Sequence, residues 1–115
     1  MKKNESFIVT LNENRDFRRI YSRGKSFVSP VLVTYVMKNK SRNIRYGITT
    51  SKKTGIAVKR NRSRRIIKEA FRKMSPNLKG GYDLVFVSRG KTPYVKSQDV
   101  LKVMNNHISK AGVFK

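Results

Sequence analysis

Asn61, Arg65, Lys68 and Arg72 share one side of a helix that the sequence predicts from about Val58 to Met74, and Ile66, Ile67, Ala70, Phe71 and Met74 share the other. The apolar side packs on a sheet and needs no cofactor. The other side offers cations and an amide. Guanidinium groups fork onto phosphate oxygens, and the start of a helix adds unpaired N–H donors for the same anion. Asn61, Arg62 and the loop lysines Lys52 and Lys53 stand near that start. A second pattern pairs Phe17 with Tyr21, four residues apart, among Arg18, Arg19 and Arg23. One reading makes both aromatics core residues. The other stands them at the edge of a groove, where unpaired bases stack on aromatics flanked by basic side chains. Tyr35, in mid-strand with a hydroxyl that needs a polar partner, fits the same surface.

Self-contained catalysis finds little support. There is no Cys, so disulfides, Cys-based zinc sites and thiol nucleophiles are excluded. The single histidine, His107, makes no His pair and reads as a packed or surface residue. The acids Glu5, Glu13, Asp16, Glu69, Asp83 and Asp99 are scattered, and no carboxylate pair is visible in the sequence.

The charge balance points to a polyanion. Of 115 residues, 28 are Lys or Arg and 6 are Asp or Glu, giving a formal net charge of +22. Such a charge opposes compaction unless a partner neutralises it. Between Asp16 and Glu69 lie 52 residues without an acid and with 16 Lys or Arg, and Lys59 to Lys73 holds eight basic residues. A merely solvated helix face mixes signs to gain i,i+4 pairs, so single-sign clustering favours phosphates. Phe, Ile, Leu and Val make up 31 residues, enough for a small core rather than a disordered chain. No apolar run approaches the roughly 18 residues of a membrane span, and Phe7 to Leu11 is too short for a signal-peptide core. The expectation is a cytoplasmic protein that makes no use of a membrane, with residues 1–115 as a single domain for a polyanionic partner.

The elements that must position these residues alternate. Asn12 or Asn14 is placed to cap a helix through Ser22 that Gly24 ends. Val31 to Met37 reads as a strand, Asn39 to Asn43 as a turn, and Arg45 to Ser51 as its antiparallel partner. After the long helix, Pro76 and Gly80-Gly81 lead to a strand over Tyr82 to Ser88, and Ser97 caps a last helix carrying Val100, Leu101, Met104 and Ile108. This order predicts an α+β sandwich of helices on a small sheet. Ser-Arg-Gly-Lys occurs at Ser22 to Lys25 and again at Ser88 to Lys91, as shared turn chemistry and not as a repeat or a P-loop.

The run Ser51-Lys52-Lys53-Thr54-Gly55-Ile56-Ala57-Val58-Lys59-Arg60-Asn61-Arg62-Ser63-Arg64-Arg65 strongly resembles the signature of the bacterial ribonuclease P protein subunit, S-K-K-x-G-x-A-V-x-R-N-x-x-K/R-R. The resemblance extends to Asp16-Phe17-x-x-x-Tyr21-x-x-Gly24 and to the Asp83 to Arg89 strand, covering roughly residues 12 to 110. It implies an α-β-β-β-α-β-α sandwich with a left-handed β-α-β crossover, a hand that general rules make rare. It also implies an accessory subunit of the endonuclease that removes the 5′ leader from precursor tRNA, with the hydrolysis residing in the RNA subunit and Mg2+ bound mainly by that RNA.

By position, Arg60, Asn61, Arg62, Arg64 and Arg65 resemble the motif that faces the catalytic RNA, and Lys68 continues that face. Phe17, Tyr21, Val33, Tyr35, Lys52 and Lys53 match the cleft for the single-stranded leader, with Arg89 a further leader-side match. The resemblance thus favours the groove reading of Phe17 and Tyr21. The implied partners are ribonuclease P RNA and precursor tRNA, with the protein a monomer in a 1:1 complex with the RNA. The sequence departs from the pattern at Tyr21, where many relatives carry Phe, and at Ile56, where Asn is frequent. Rival readings from charge alone are a ribosomal protein, an architectural DNA-binding protein and a free-standing metal-dependent nuclease. The first co-purifies with ribosomes, the second prefers duplex DNA, and the third needs activity without RNA.

Overall fold

Tyr82–Ser88 has apolar residues at both parities of the strand, and such a strand is stable only where both faces are covered. It takes the centre of the sheet. The computed structural model describes residues 8–51 and 54–115. In chain order the elements are β1 (Ile8–Thr10), α1 (Asn14–Arg23), β2 (Lys25–Val28), β3 (Leu32–Lys38), β4 (Ile44–Thr49), α2 (Ala57–Met74), β5 (Tyr82–Ser88) and α3 (Ser97–Ala111). The five strands form one sheet in the order β1-β4-β5-β3-β2. The α+β architecture and the helix, three strands, helix, strand, helix order implied by the resemblance are both present, with β1 added in front.

The expected hairpin of Val31–Met37 with Arg45–Ser51 is absent. β5 lies between these strands, antiparallel to β3 and parallel to β4. Neighbours in sequence usually pair, but β5 is buried along almost its whole length and must be covered on both faces, with Leu84 and Phe86 turned to one and Val85 and Val87 to the other. Asn39 holds the displaced turn against β5. Its N–H donates to the Gly81 carbonyl at 2.9 Å, and its Nδ2 donates to the Asn43 carbonyl at 3.2 Å. β4, α2 and β5 together form a parallel β-α-β unit.

α2 and α3 pack on one face of the sheet around Leu32, Ile67, Phe71, Leu84, Phe86 and Met104. The predicted stripe on α2 is the buried one, with Ile66 at its half-buried margin, and Phe71 stacks on Tyr46 at a centroid distance of 4.2 Å. α1 packs on the other face, where Leu11, Ile20 and Val85 form a smaller core with Phe17, Tyr35, Met37 and Val87 against it.

The helix starts differ from expectation. Glu13, not Asn12 or Asn14, occupies the N-cap of α1 and makes no side-chain cap bond. Lys96, not Ser97, is the N-cap of α3, and its N–H donates to Asp99 Oδ2 at 3.1 Å, so the carboxylate in the first turn supplies the stabilisation. Gly24 does end α1, for a steric reason. A Cβ there would stand 2.5 Å from the Ile20 carbonyl oxygen. His107 is buried, shares a 2.8 Å hydrogen bond between Nδ1 and Thr34 Oγ1, and stacks on Phe27. Burial, and secondarily the charge of Lys110, lowers its pKa.

Candidate nucleic-acid interface

The alternation of β3 sends Leu32, Thr34 and Val36 toward α2 and α3 and leaves Val33, Tyr35 and Met37 on the face that α1 shares. α1 covers only part of that face, and a groove of about 500 Å3 opens beside it. Phe17 and Tyr21 project into it from successive turns of α1, with ring centroids 6.4 Å apart. Tyr35 meets Tyr21 edge-on at 5.0 Å, and the Tyr21 hydroxyl bonds Thr49 Oγ1 at 2.8 Å. Tyr21 is therefore fixed at its tip by β4 and at its ring by β3, yet remains 37% exposed. Phe17 rests on the backbone of Gly47, where a Cβ would stand 2.5 Å from two ring carbons. A glycine inside a strand often marks a close approach, and here the approaching group is an aromatic ring.

The cations divide into two sets. Arg64 turns back from α2 to donate to the Ile48 carbonyl at 2.9 Å and to Thr50 Oγ1 at 3.4 Å, and it lines the groove with Phe17, Arg18 and Tyr21. Arg60 donates to the Gly55 carbonyl at 3.1 Å. Asn61, Arg62, Arg65 and Lys68 are exposed along α2 and make no hydrogen bond or ion pair with other described residues. Their neighbour Arg72 is paired with Glu69 at 2.8 Å. Lys52 and Lys53 lie outside the described residues. Val33 lies beside Val87 of β5 and Val28 of β2. Arg89 stands at the end of the sheet, donating to the Ser29 carbonyl at 2.9 Å, away from the aromatic pair.

The carboxylates are occupied internally. Asp83 is buried and accepts two bonds from Arg45, at 2.8 and 2.7 Å, and a third from Asn39 at 2.8 Å. Hydrogen bonding to Asp83 raises the Arg45 pKa further, so the guanidinium stays charged. Arg19 bridges Asp83 at 3.6 Å and Asp16 at 2.9 Å. Among the described residues no three His, Cys, Asp or Glu side chains converge, so they offer no ligand cage for Mg2+. Nor is any helix among them long and apolar enough to cross a membrane. What remains is a half-exposed aromatic floor beside a basic helix whose first 12 residues hold no acid, from Ala57 to Lys68.

The sequence and the fold have known counterparts. The family model for ribonuclease P matches residues 7–112. The chain belongs to the ribonuclease P protein family. The ribonuclease P protein component of Clostridioides difficile is 42% identical over 104 residues, covering 90% of this chain and 91% of that protein. The Clostridium novyi component is 40% identical over 116 residues, covering 99% of each. Two solved structures share the fold at 30% identity. The Staphylococcus aureus RNase P protein has a TM-score of 0.80 over 92% of this chain and 97% of that one. The Thermotoga maritima protein has a TM-score of 0.77, covering 88% and 96%. Membership of the family implies a role in tRNA processing and partnership with ribonuclease P RNA.

Of the four residues that sequence reading grouped in one cleft, the rings of Phe17, Tyr21 and Tyr35 meet, and Val33 lies on the same face of the sheet by strand alternation. That reading missed Gly47, Thr49 and the groove-facing placement of Arg64. Gly47 was the detectable one, as a lone glycine inside Arg-Tyr-Gly-Ile-Thr-Thr. Arg64 carried no such signal, because its neighbours Arg62 and Arg65 have the same chemistry and point elsewhere.

Proposed function

We propose that the protein is the accessory subunit of a ribonuclease P in which it binds both the catalytic RNA and the 5′ leader of precursor tRNA, and so promotes endonucleolytic removal of that leader. Arg60, Asn61, Arg62, Arg65 and Lys68 engage phosphates of the catalytic RNA along α2. Leader bases stack in the groove of Phe17, Tyr21, Val33 and Tyr35, with Arg64 at its wall, Lys52 and Lys53 from the adjoining loop, and Arg89 farther along the strand. The catalytic RNA performs the hydrolysis with Mg2+ that it mainly holds itself. The working particle is one protein with one RNA, in the cytoplasm.

The observation that carries this reading is the half-exposed Phe17–Tyr21–Tyr35 floor, held from three elements beside an acid-free cationic helix turn. A packing role alone would bury these rings. Stacking on aromatics is worth about 1–3 kcal/mol per base and tolerates sequence, as a subunit serving many precursors requires.

The test mixes the protein with a bacterial ribonuclease P RNA at low magnesium and compares precursor cleavage with that by RNA alone. Stimulation is expected. Phe17→Ala should weaken holoenzyme binding to precursor while sparing mature tRNA, and equal loss for both would reject the leader groove. With about six phosphates contacted, affinity for the catalytic RNA should fall with salt at a log–log slope near −4 to −5.

A further inference from the structure

Val28 is the exposed end of the edge strand β2, and it pairs with Val33, so the two side chains lie side by side on the groove face of the sheet. Val28 and Ser29 line two further depressions. One, of about 590 Å3, continues over Pro30 to Arg89, Gly90 and Lys91. The other, of about 300 Å3, lies between β2 and α3 and is walled by Phe27, Lys102, Asn106, His107 and Lys110. Because both contain Val28 and Ser29, they are one continuous surface that starts beside Val33 and turns around the β2 edge to the opposite face.

The chemistry of this surface is uniform. Neither depression has an acidic residue in its wall, and cations stand at both ends, Arg89 and Lys91 at the turn and Lys102 and Lys110 at the far end. Arg89 is held at the turn by its bond to the Ser29 carbonyl, which uses one of its donors and leaves the rest for a ligand. Thr92 braces the same turn, accepting from the Arg89 N–H at 2.7 Å and donating to the Val31 carbonyl at 2.8 Å. At the far end Phe27 and His107 are stacked at 5.9 Å and 30°, and Lys25 Nζ lies 5.9 Å from the Phe27 ring centroid. His107 Nδ1 is used by Thr34, while Nε2 has no hydrogen-bond partner among the described residues, and the ring lines the groove wall. Imidazole N and the Asn106 amide supply polar atoms for a base edge, and the lysines supply charge for its phosphates.

We propose that single-stranded RNA leaving the aromatic groove runs past Val33 and Val28, turns around the β2 edge at Arg89 and Lys91, and ends in the β2–α3 groove between Lys102 and Lys110. This rests on the leader reading above and extends it: the occupant is the 5′-terminal part of a long leader. From Tyr35 to Val33 to Val31 the strand advances about 3.3 Å per residue, so the turn lies within a few residues of the aromatic floor. An alternating apolar and cationic track of this kind follows a backbone without reading its sequence.

The experiment uses the reconstituted holoenzyme and a series of precursor tRNAs whose leaders lengthen one nucleotide at a time. Affinity is measured for the wild type and for the double variant Lys102→Ala/Lys110→Ala, both of whose side chains are exposed and unpaired among the described residues. The two proteins should agree on short leaders and part on long ones, where the variant loses about tenfold for two phosphate contacts and a salt slope smaller by about 1.4. Curves that overlay at every length overturn the proposal. A constant displacement at every length also overturns it, since the lysines then serve the catalytic RNA. Val28→Glu, which places a carboxylate at the junction, should reproduce the length-dependent loss. Phe17→Ala on the shortest leaders reports the aromatic groove by itself, so failure of one reading is distinguishable from failure of the other.

Discussion

The Phe17 ring lies so close to Gly47 that no side chain fits between them, a Cβ at position 47 standing 2.5 Å from two ring carbons. β4 thus presents bare backbone to α1, and this contact sets the depth at which Phe17 sits in the groove. Gly47→Ala should push the ring outward at a cost of about 1–3 kcal/mol, the range for inserting a methyl into packed surroundings. In a Phe17→Ala background the same change should cost almost nothing. Urea unfolding of the four proteins of this cycle measures the coupling, and additive costs would disprove the contact's role. Gly47→Ala alone should also weaken precursor binding without weakening that of mature tRNA.

Asp83, two residues before Val85 on the face of β5 that α1 covers, is a structural anion. It is buried, with three hydrogen bonds and two guanidinium neighbours. Asp83→Asn leaves Arg45 without its counter-charge beside a buried amide, and should destabilise the fold by up to about 3 kcal/mol, since breaking such a pair costs more than the pair itself contributes. Were Asp83 instead a magnesium ligand, the variant would be rescued by raised magnesium. The expected result is a lower urea midpoint at every magnesium concentration.

His107 gives stability a pH dependence of definite sign. Burial lowers its pKa in the folded state, while in the unfolded chain it titrates near 6.5. Below about pH 6.5 the unfolded chain binds the proton and the folded one resists it, so stability falls as pH drops toward the depressed folded value and is insensitive to this group above about 7. His107→Asn keeps an acceptor near Thr34 and removes the titration. Its unfolding free energy should be lower overall but flatter between neutral and mildly acid pH, and an unchanged slope would assign the dependence to other groups.

The long helix and its buried stripe were legible from periodicity, and the meeting of Phe17 with Tyr21 from their spacing of four. The sheet was not. β1 and β2 are three and four residues long and largely exposed, so they carry almost no apolar alternation to read. The β3–β4 hairpin was expected from sequence proximity, yet the decisive fact was which strand must be covered on both faces. Val85 and Val87 beside Leu84 and Phe86 state that requirement, and it outweighs the short Asn39–Asn43 connection. For the site, residue type was readable and direction was not. Arg64 and Arg65 are adjacent and chemically identical, and a 100° step sends one to the groove and the other to solvent.

That divergence makes the last prediction. Arg64 is tethered to the Ile48 carbonyl and Thr50 and lines the groove with Phe17 and Tyr21, whereas Arg65 is exposed with no partner among the described residues. Arg65→Ala should weaken assembly with the catalytic RNA and reduce its salt slope by just under one, the contribution of one phosphate. Once assembly is saturated, its discrimination between precursor and mature tRNA should be normal. Arg64→Ala should lose discrimination even at saturating RNA, because it removes a cation from the groove and frees β4 near Gly47 and Thr49. Titrating each variant with catalytic RNA, then measuring precursor and mature tRNA binding to the saturated complex, separates the two. If both variants fail only in assembly, Arg64 belongs with the outer face of α2 and the groove is bounded by aromatics and β4 alone.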